Sequence, residues 1–257
     1  MRIRKGQIDS LVLEILERTQ GERFLEITEV EQGKGFHLIK FIVDIPFSSA
    51  NYEVDFRSLE NHGKTIQKFK MLEELHRSSY KNLAIFDIET GGLSPDGQIF
   101  LAGFLIPEKE KAIAVQFIAR TLKKEKTLLK WVIEHFEKYK ILTFNGTTFD
   151  LPFVKRRCEL HNLEYIEPKF HLDILLLARY IWKDSYGSKK LSVLENNLME
   201  IYREFDVPSG LLPSLIKLYK NRRDEKYLKI ISRHNLYDLI TTFKLLFKIR
   251  KSLFLNS

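Results

Sequence analysis

One ten-residue stretch, LAIFDIETGG at residues 83–92, constrains this chain more than any other part of its sequence. An apolar run leads into an Asp-Ile-Glu sequence and then into two glycines. On a β-strand, residues i and i+2 point to the same face, so Asp87 and Glu89 are expected to present two carboxylates side by side. Like charges so close together destabilise each other unless a cation lies between them, and a divalent cation bound through oxygens is the natural candidate.

The end of this strand is marked by Thr90, Gly91 and Gly92. Glycine allows another backbone or a ligand to approach closely, which suits a binding site. A solvated strand end, with both acids facing water, is the alternative, because exposed acids rarely need a further explanation. These ten residues leave the two interpretations open, and the other acids of the chain bear on the choice.

The charge of the chain is unevenly distributed. Its 257 residues have a net charge of +8, are 30% charged and 44% hydrophobic, and are enough for one large domain with a packed core. Residues 1–80 carry 12 Lys and Arg against 13 Asp and Glu, whereas residues 81–257 carry 30 against 21. The half that holds the Asp-x-Glu pair is therefore the basic half, which suits an enzyme that holds metal on carboxylates and attracts phosphate around them.

The cysteine content and the hydropathy of the chain limit the kinds of site and the cellular compartment that we expect. Cys158 is the single cysteine, which excludes an internal disulfide and a cysteine-based zinc site and fits a reducing compartment. The apolar run near the start, LVLEIL, is too short and too interrupted by acids for a signal peptide or a membrane span. We expect a cytoplasmic protein that does not associate with membranes.

The periodicity of the chain predicts an α/β fold. Residues 8–18 and 56–79 have helical patterns, and residues 22–46 read as strands around a Gly-Lys-Gly turn, so residues 1–80 are expected to form a small α+β accessory region. From residue 81 to residue 257 the pattern predicts one domain: three strands in a meander, then alternating helices and parallel strands, in a mixed sheet flanked by helices. The predicted meander strands begin at residues 83, 98 and 111, a fourth strand covers 140–145, and helices cover 124–139 and 147–163.

A third acid follows the fourth predicted strand, in LTFNGTTFDLPF. Asp150 comes near the first turn of a helix, where the helix dipole favours a carboxylate, so a capping role is a real alternative to a functional one. Asn145 and Phe149 beside it resemble substrate groups: an amide that can form hydrogen bonds and a ring that can stack on a base. A buried core aromatic is an equally good interpretation of Phe149.

A fourth acid lies on the last long helix, in ISRHNLYDLITTF. His234 and Asp238 are four residues apart and therefore share one helical face. A His and an Asp that face a group of acids suggest a metal ligand and a proton-handling group. Taken alone, the pair is better explained as an exposed polar patch.

The ordered set of motifs resembles the DEDD exonucleases of the ribonuclease-H-like superfamily and, more narrowly, the YprB-like family of predicted bacterial exonucleases. The resemblance covers roughly residues 82–248 and depends on the motifs FDIETGGL, FNGTTFDLPFV, HLDILLLARYIW, GSKKLSVLE and RHNLYDL. It implies a ribonuclease-H-like sheet and 3′→5′ hydrolysis of nucleic acid, with DNA favoured, in repair or processing. His234 departs from the family, which has a Tyr four residues or a His five residues before the last acid.

The resemblance also implies the parts of the site. Two divalent ions, Mg²⁺ or Mn²⁺, would be bound by Asp87, Glu89, Asp150 and Asp238 and would promote cleavage by a two-metal-ion mechanism. His234 is the candidate general base. The expected substrate contacts come from Thr90, Gly91, Asn145, Phe149 and Lys190. Members of the family are expected to act beside helicases, so a helicase is the candidate protein partner.

Two further residues have structural interpretations. Asp173, in HLDI, is expected to cap the helix that follows it, and His171 is expected to be structural.

The alternative function for the whole chain is a nuclease-like module that binds nucleic acid for a helicase partner and no longer cleaves it. All four acids are present, which argues against that alternative because an inactive module has no reason to keep like charges together.

Overall fold

The centre of the fold is a mixed β-sheet. The computed structural model describes residues 25–33, 35–43, 64–77, 80, 82–108, 111–199, 203 and 206–254. Within these ranges the sheet has seven strands in the order β1-β2-β5-β4-β3-β6-β7. The strands are β1 (Leu25–Gly33), β2 (Phe36–Val43), β3 (Leu83–Thr90), β4 (Ile99–Pro107), β5 (Ala112–Ala119), β6 (Lys140–Thr143) and β7 (His171–Asp173).

Strand direction divides the sheet in two. Neighbours from β1 to β3 are antiparallel, whereas β6 and β7 run parallel to β3. The predicted meander followed by parallel strands is confirmed, and so is the α/β class. The N-terminal hairpin extends this sheet, since β2 pairs with β5 from Phe36 to Val43. The boundary near residue 81 stays a prediction.

Helices cover both faces of the sheet. They are α1 (Lys64–Arg77), α2 (Leu122–Lys138), α3 (Asp150–Leu160), α4 (Ile174–Ile181), α5 (Leu191–Met199), α6 (Leu212–Arg222) and α7 (Glu225–Phe254), with a 3₁₀ turn at Ser209–Leu211. Of the predicted N-terminal helices, residues 8–18 and 56–63 lie outside the described residues. No helix in the described ranges is both long and apolar enough to cross a bilayer.

The alternation of β3 determines which face carries the acids. Leu83 and Ile85 pack against α1, α4 and α7 on one face, while Ala84, Phe86 and Ile88 pack against α2 and α3 on the other. Asp87 and Glu89 continue the first set, as the period of two requires. The apolar core of that face therefore ends in two carboxylates at the carboxyl end of β3.

Candidate active site

All five predicted catalytic residues line one cleft of about 930 Å³ at the carboxyl end of β3. Asp87 and Glu89 come from β3, Asp150 from the start of α3, and His234 and Asp238 from α7. Four of the five predicted substrate contacts line the same cleft: Thr90, Asn145, Phe149 and Lys190. The fold thus brings together side chains that are up to 151 positions apart in sequence.

Gly91 is the predicted contact that lies outside the walls of the cleft. Its N–H donates to the carbonyl of Gln98 at 3.1 Å, so this donor is already used within the protein. Glu89 and Thr90 are offset by a register shift against β4, which ends the regular pairing where the glycines begin. A contact between substrate and the Gly91 amide is therefore not supported, because the turn back into β4 needs that hydrogen bond.

A buried amide network holds Asp87. Nδ2 of Asn235, on α7, donates to Oδ2 of Asp87 at 2.7 Å. Oδ1 of Asn235 accepts from Nε2 of Gln116 at 2.9 Å, and Gln116 also bonds to Ser232 through both ends of its amide. Asp87, Gly103 and Gln116 are register partners across three strands, and a Cβ at Gly103 would lie 2.1 Å from Oδ1 of Asn235. The missing side chain at Gly103 makes room for the amide.

Asp150 completes the edge of β3. The partner strand β6 pairs with β3 no further than Ile85, and Oδ1 of Asp150 accepts from the N–H of Ile88 at 3.2 Å. Asp150 is therefore a hydrogen-bonded residue of the first helical turn and a cleft residue at once. The capping and functional interpretations of this position do not exclude each other.

Asp173 and a tight turn fix the start of α3. Its carboxylate caps α4 through Leu175 N, as predicted, and also accepts from the N–H groups of Asn145 and Thr147 at 2.8 and 3.0 Å. Asn145 has a left-handed φ of 69°, which asparagine tolerates better than most residues, and its Oδ1 accepts from the Thr148 hydroxyl. His171 bonds to Thr143 at 2.8 Å, which agrees with its predicted structural role.

His234 lies between two carboxylates. Its Nδ1 is 2.9 Å from Oδ1 of Asp206, and its Nε2 is 3.5 Å from Oδ2 of Asp238. Burial disfavours the imidazolium, but Asp238 and Asp206 outweigh it and raise the pKa of His234 above 6.5. Sequence reasoning missed Asp206, because it lies between helices in a segment without a recognisable motif.

Arg203 is the second residue that sequence reasoning missed. Its Nη1 donates to Oδ1 of Asp238 at 2.6 Å and to Asp206 at 3.0 Å, and its Nε donates to Glu195 at 2.6 Å. Burial alone would lower the pKa of Arg203, but Asp238 and the other two carboxylates hold it above its ordinary value. Arg203 therefore supplies a largely buried positive charge beside the acids of the cleft.

The cleft acids repel one another electrostatically. Burial, and then the charges of Asp150 and Glu89, raise the pKa of Asp87 well above 3.8. Burial, and then Asp238, do the same for Glu89, and burial raises the pKa of Asp150 to about 7. Such a set of hard oxygen donors, whose negative charge Arg203 offsets only in part, fits Mg²⁺ or Mn²⁺.

The described side chains do not form a ready-made metal site. No three His, Cys, Asp or Glu side chains among them converge closely enough to coordinate one ion. Oxygens of three of the acids already accept hydrogen bonds, from Asn235, the Ile88 amide and Arg203. The donor set therefore fits divalent cations, while the arrangement needs local adjustment around Asp238 to hold them.

The family model that matches this chain agrees with this fold. A model of the RNase_H superfamily matches residues 84–249. The uncharacterized protein YprB of Bacillus subtilis (strain 168) is 26% identical in an alignment that covers 93% of this chain and 62% of that protein. This chain thus corresponds to less than two thirds of the relative's length. A family B DNA polymerase from the archaeon Pyrobaculum calidifontis is 14% identical, with a TM-score of 0.49, over 65% of this chain and 24% of its own.

Proposed function

The chain belongs to the RNase_H superfamily, and from that membership we propose that it is a metal-dependent 3′→5′ exonuclease. Its nuclease-type fold supports a nuclease-like role. The direction of cleavage, the preference for DNA, a task in repair, a cytoplasmic location and a helicase partner are finer parts of this proposal. The direction, the preference for DNA and the task in repair rest on the resemblance of the motifs to the DEDD exonucleases. The helicase rests on the resemblance to the YprB-like family, and the location rests on the single cysteine and the short apolar run near the start.

One observation carries the proposal: four carboxylates from three separate elements line one cleft. They come from β3, α3 and α7, and charge interactions couple them. Burying like charges is costly, so a fold that gathers them is expected to use a cation there. Phosphodiester hydrolysis by two metal ions is the chemistry that such a carboxylate set supports in this superfamily.

In this mechanism, Asp87, Glu89, Asp150 and Asp238 would hold the divalent ions. The ions supply an acidic bound water and offset the charge that develops on the leaving oxygen. Asn235 fixes the orientation of Asp87, and the Ile88 amide fixes Asp150. These contacts hold two of the four carboxylates in place before substrate binds, which limits the reorganisation needed during the reaction.

His234 is placed to handle a proton at Nε2. When Nδ1–H donates to Asp206, the lone pair of Nε2 points towards Asp238 and the cleft. Without added cations, the flanking carboxylates favour the protonated ring. Positive charge near Asp238, such as a bound metal ion, would offset this effect and favour the neutral ring that a general base requires.

The walls of the cleft suit the end of a nucleic-acid strand. Lys190 is exposed on one side, and Lys189 and Arg179 lie nearby, where they can contact phosphates. Phe149 is half-buried and packs against Phe153 at 5.5 Å, which leaves part of its ring for a base. Leu93 lines the cleft and is 85% exposed. Such a mixture of charge and apolar surface suits a phosphate backbone with unstacked bases.

A second candidate function is a nucleic-acid-binding module that does not cleave. The ion pair between Arg203 and Asp238 favours it, because one proposed metal ligand is already neutralised by the protein. The module would keep the cleft and the basic rim and would bind strand ends without hydrolysis.

An end-labelled nuclease assay separates the two functions. Purified protein is incubated with 3′- and 5′-labelled single- and double-stranded DNA and RNA in Mn²⁺, Mg²⁺ or EDTA, beside Asp87→Asn and Asp184→Asn. Asp87→Asn keeps the side-chain shape and removes the charge, whereas Asp184 is exposed and does not line the cleft. We expect metal-dependent shortening from the 3′ end, lost in Asp87→Asn and kept in the control.

Two results would count against the exonuclease. Full activity of a folded Asp87→Asn protein would rule out this cleft as the place of the chemistry. Binding of strand ends without cleavage in any metal would instead support the silent module.

A further inference from the structure

Three cations form a cluster beside the cleft, and none of them is used by the proposed chemistry. Arg120 follows β5, and Lys220 and Arg223 lie at the end of α6. The guanidinium carbons of Arg120 and Arg223 lie 5.7 and 5.9 Å from the ring centre of Tyr219. Lys220 lies 6.0 Å from the ring centre of Phe100. We call Arg120, Lys220 and Arg223 the basic cluster.

The partners of the basic cluster are neutral. Lys220 donates to Oε1 of Gln98, and Nη1 of Arg120 lies 3.1 Å from Nε2 of His37. Among the described residues none of the three cations forms an ion pair with a carboxylate. Glu225 acts electrostatically on Tyr219 and His37, and Glu125, which is paired with Arg157, acts on Lys220. The three cations of the cluster therefore keep a net positive charge.

The charged ends of the basic cluster are accessible to an anion. Arg223 is exposed, and Arg120 and Lys220 are partly exposed. Tyr219, whose ring lies beside both guanidinium groups, is fully buried, and Arg120 and Arg223 act electrostatically on its hydroxyl. Accessible cations without carboxylate partners attract phosphate, so the cluster is a place where an anion is expected to bind.

The basic cluster lies at the same end of the sheet as the acids. Because β4 is antiparallel to both β3 and β5, the end of β5 near Arg120 and the end of β3 near Thr90 lie together. Gln98 connects the two places: its carbonyl accepts from Gly91 N–H, its Nε2 donates to Ala119 O, and its Oε1 accepts from Lys220. A strand that leaves the cleft can therefore reach the cluster without crossing the sheet.

Helix α6 sets the distance between the two places. Leu212, the first residue of α6, lines the cleft, and Lys220 and Arg223 come 8 and 11 positions later. At 1.5 Å per residue, these positions lie about 12 to 16 Å along the helix axis. Successive phosphates of a stacked strand are about 3.4 Å apart along its axis, so the cluster is roughly four to five nucleotides from the cleft.

We propose that the basic cluster binds the phosphodiester backbone of the same strand whose 3′ end enters the cleft, about four to five nucleotides upstream. The inference rests on the proposed nuclease function and adds a second, non-catalytic anchor to it. It predicts that the length of the substrate determines whether the cluster contributes.

The test compares substrates that can and cannot reach the cluster. The variant Arg120→Gln/Arg223→Asn removes two charges, and asparagine suits the left-handed φ of 56° at position 223. The control Lys126→Gln/Lys130→Gln removes two exposed charges from α2, on the opposite face of the sheet. Each protein is assayed with the p-nitrophenyl ester of thymidine 5′-monophosphate and with DNA single strands of 3 to 20 nucleotides. Fluorescence anisotropy in EDTA measures binding of the same strands over a range of salt concentrations.

We expect the cluster variant to lose roughly ten- to thirty-fold in affinity for the 20-mer at about 0.1 M salt. The slope of the logarithm of its binding constant against the logarithm of salt concentration should become smaller in magnitude by about 1.4, because two phosphate contacts are lost. Hydrolysis of the ester and of the trimer by this variant should be unchanged. The loss of affinity should begin with strands of about five nucleotides. The variant Arg120→Lys/Arg223→Lys, which keeps both charges, should bind the 20-mer as the unmodified protein does. An unchanged 20-mer affinity, or an equal loss on the ester and the 20-mer, overturns the inference. If neither the unmodified protein nor any variant cleaves a substrate, the exonuclease proposal fails. The anisotropy measurements in EDTA would still show whether the basic cluster binds the strand.

Discussion

Asp238 is the cleft acid for which two cations are expected to compete: the guanidinium of Arg203 and a divalent metal ion. The guanidinium takes Oδ1 of Asp238 at 2.6 Å, and the imidazole of His234 lies near Oδ2. Breaking a buried ion pair on one side leaves the other charge unpaired, which is unfavourable until another cation replaces it. Arg203 and a divalent ion are therefore expected to compete for the same carboxylate.

Removing Arg203 should strengthen metal binding. For Arg203→Gln we expect the dissociation constant for Mn²⁺ to fall about ten-fold, equivalent to about 1.4 kcal/mol, since the acids lose their internal counter-charge. The metal-free protein should melt at a lower temperature for the same reason. Arg203→Lys, which keeps the charge, serves as the control in an Mn²⁺ titration followed by electron paramagnetic resonance. Weaker binding by Arg203→Gln would mean that the guanidinium orients Asp238 for the metal.

Asn235 is a second residue whose role can be isolated. Asn235→Ala leaves Asp87 and Gln116 without their shared partner in a buried place, and we expect it to lower the free energy of unfolding by about 1–3 kcal/mol. Urea unfolding measures the loss, with the exposed Asn221→Ala as the control. A cost as small as that of the control would show that the amide network does not hold Asp87.

At the scale of elements, the β6–α3 connection positions Asp150. The turn is constrained from two sides: Asp173 accepts from its backbone amides, and Gly146 packs directly on Thr143. Asn145 and Gly146 therefore do more than end the strand, because the backbone of Gly146 lies directly against the side chain of Thr143. A small shift here would move the start of α3, and Asp150 with it.

Gly146→Ala tests that constraint. An added Cβ would lie 2.4 Å from Oγ1 of Thr143, which cannot move without losing His171, so we expect destabilisation by about 1–3 kcal/mol. Nuclease activity should fall further than stability explains, because Asp150 would be displaced. The control is Gly92→Ala, where a Cβ has open space. Equal stability of the two variants in chemical denaturation would contradict this account.

At the scale of the whole molecule, the cleft makes stability depend on pH and on metal. The folded state raises the pKa of Asp150 from 3.8 to about 7, and it also raises those of Asp87, Glu89 and His234. A group with a raised folded pKa binds more protons in the folded than in the unfolded state. Its contribution to stability is therefore complete below the unfolded pKa and is lost as the pH rises through the folded pKa.

The metal-free protein should accordingly melt at progressively lower temperatures between pH 5 and pH 8. Saturating Mn²⁺ should remove most of this fall, because a cation stabilises the charged carboxylates. Calorimetric melting curves in EDTA and in Mn²⁺ measure both effects, and Asp150→Asn should flatten the EDTA series. Constant or increasing stability over this range in EDTA would mean that the acids are not buried together.

Much of the site could be predicted from sequence because it lies in local patterns. The period of two on β3 places Asp87 beside Glu89, and the period of the last helix places His234 above Asp238. Asp150 was ambiguous, since a helix start favours acids for structural reasons as well. Asn235 was not singled out although it follows His234, because its partners, Asp87 and Gln116, are 148 and 119 positions away.

The sequence by itself indicated most of the described strands and helices, the superfamily, and four acids that line one cleft, since each depends on the order and spacing of neighbouring residues. Only the tertiary structure decided that Arg203 and Asp206 enter the cleft, that the N-terminal hairpin extends the sheet, and that Arg120, Lys220 and Arg223 gather beside the acids. Contacts of this kind join residues that are far apart in the chain, and no periodic sequence pattern predicts them. They follow from packing, which brings charges together irrespective of their distance in sequence.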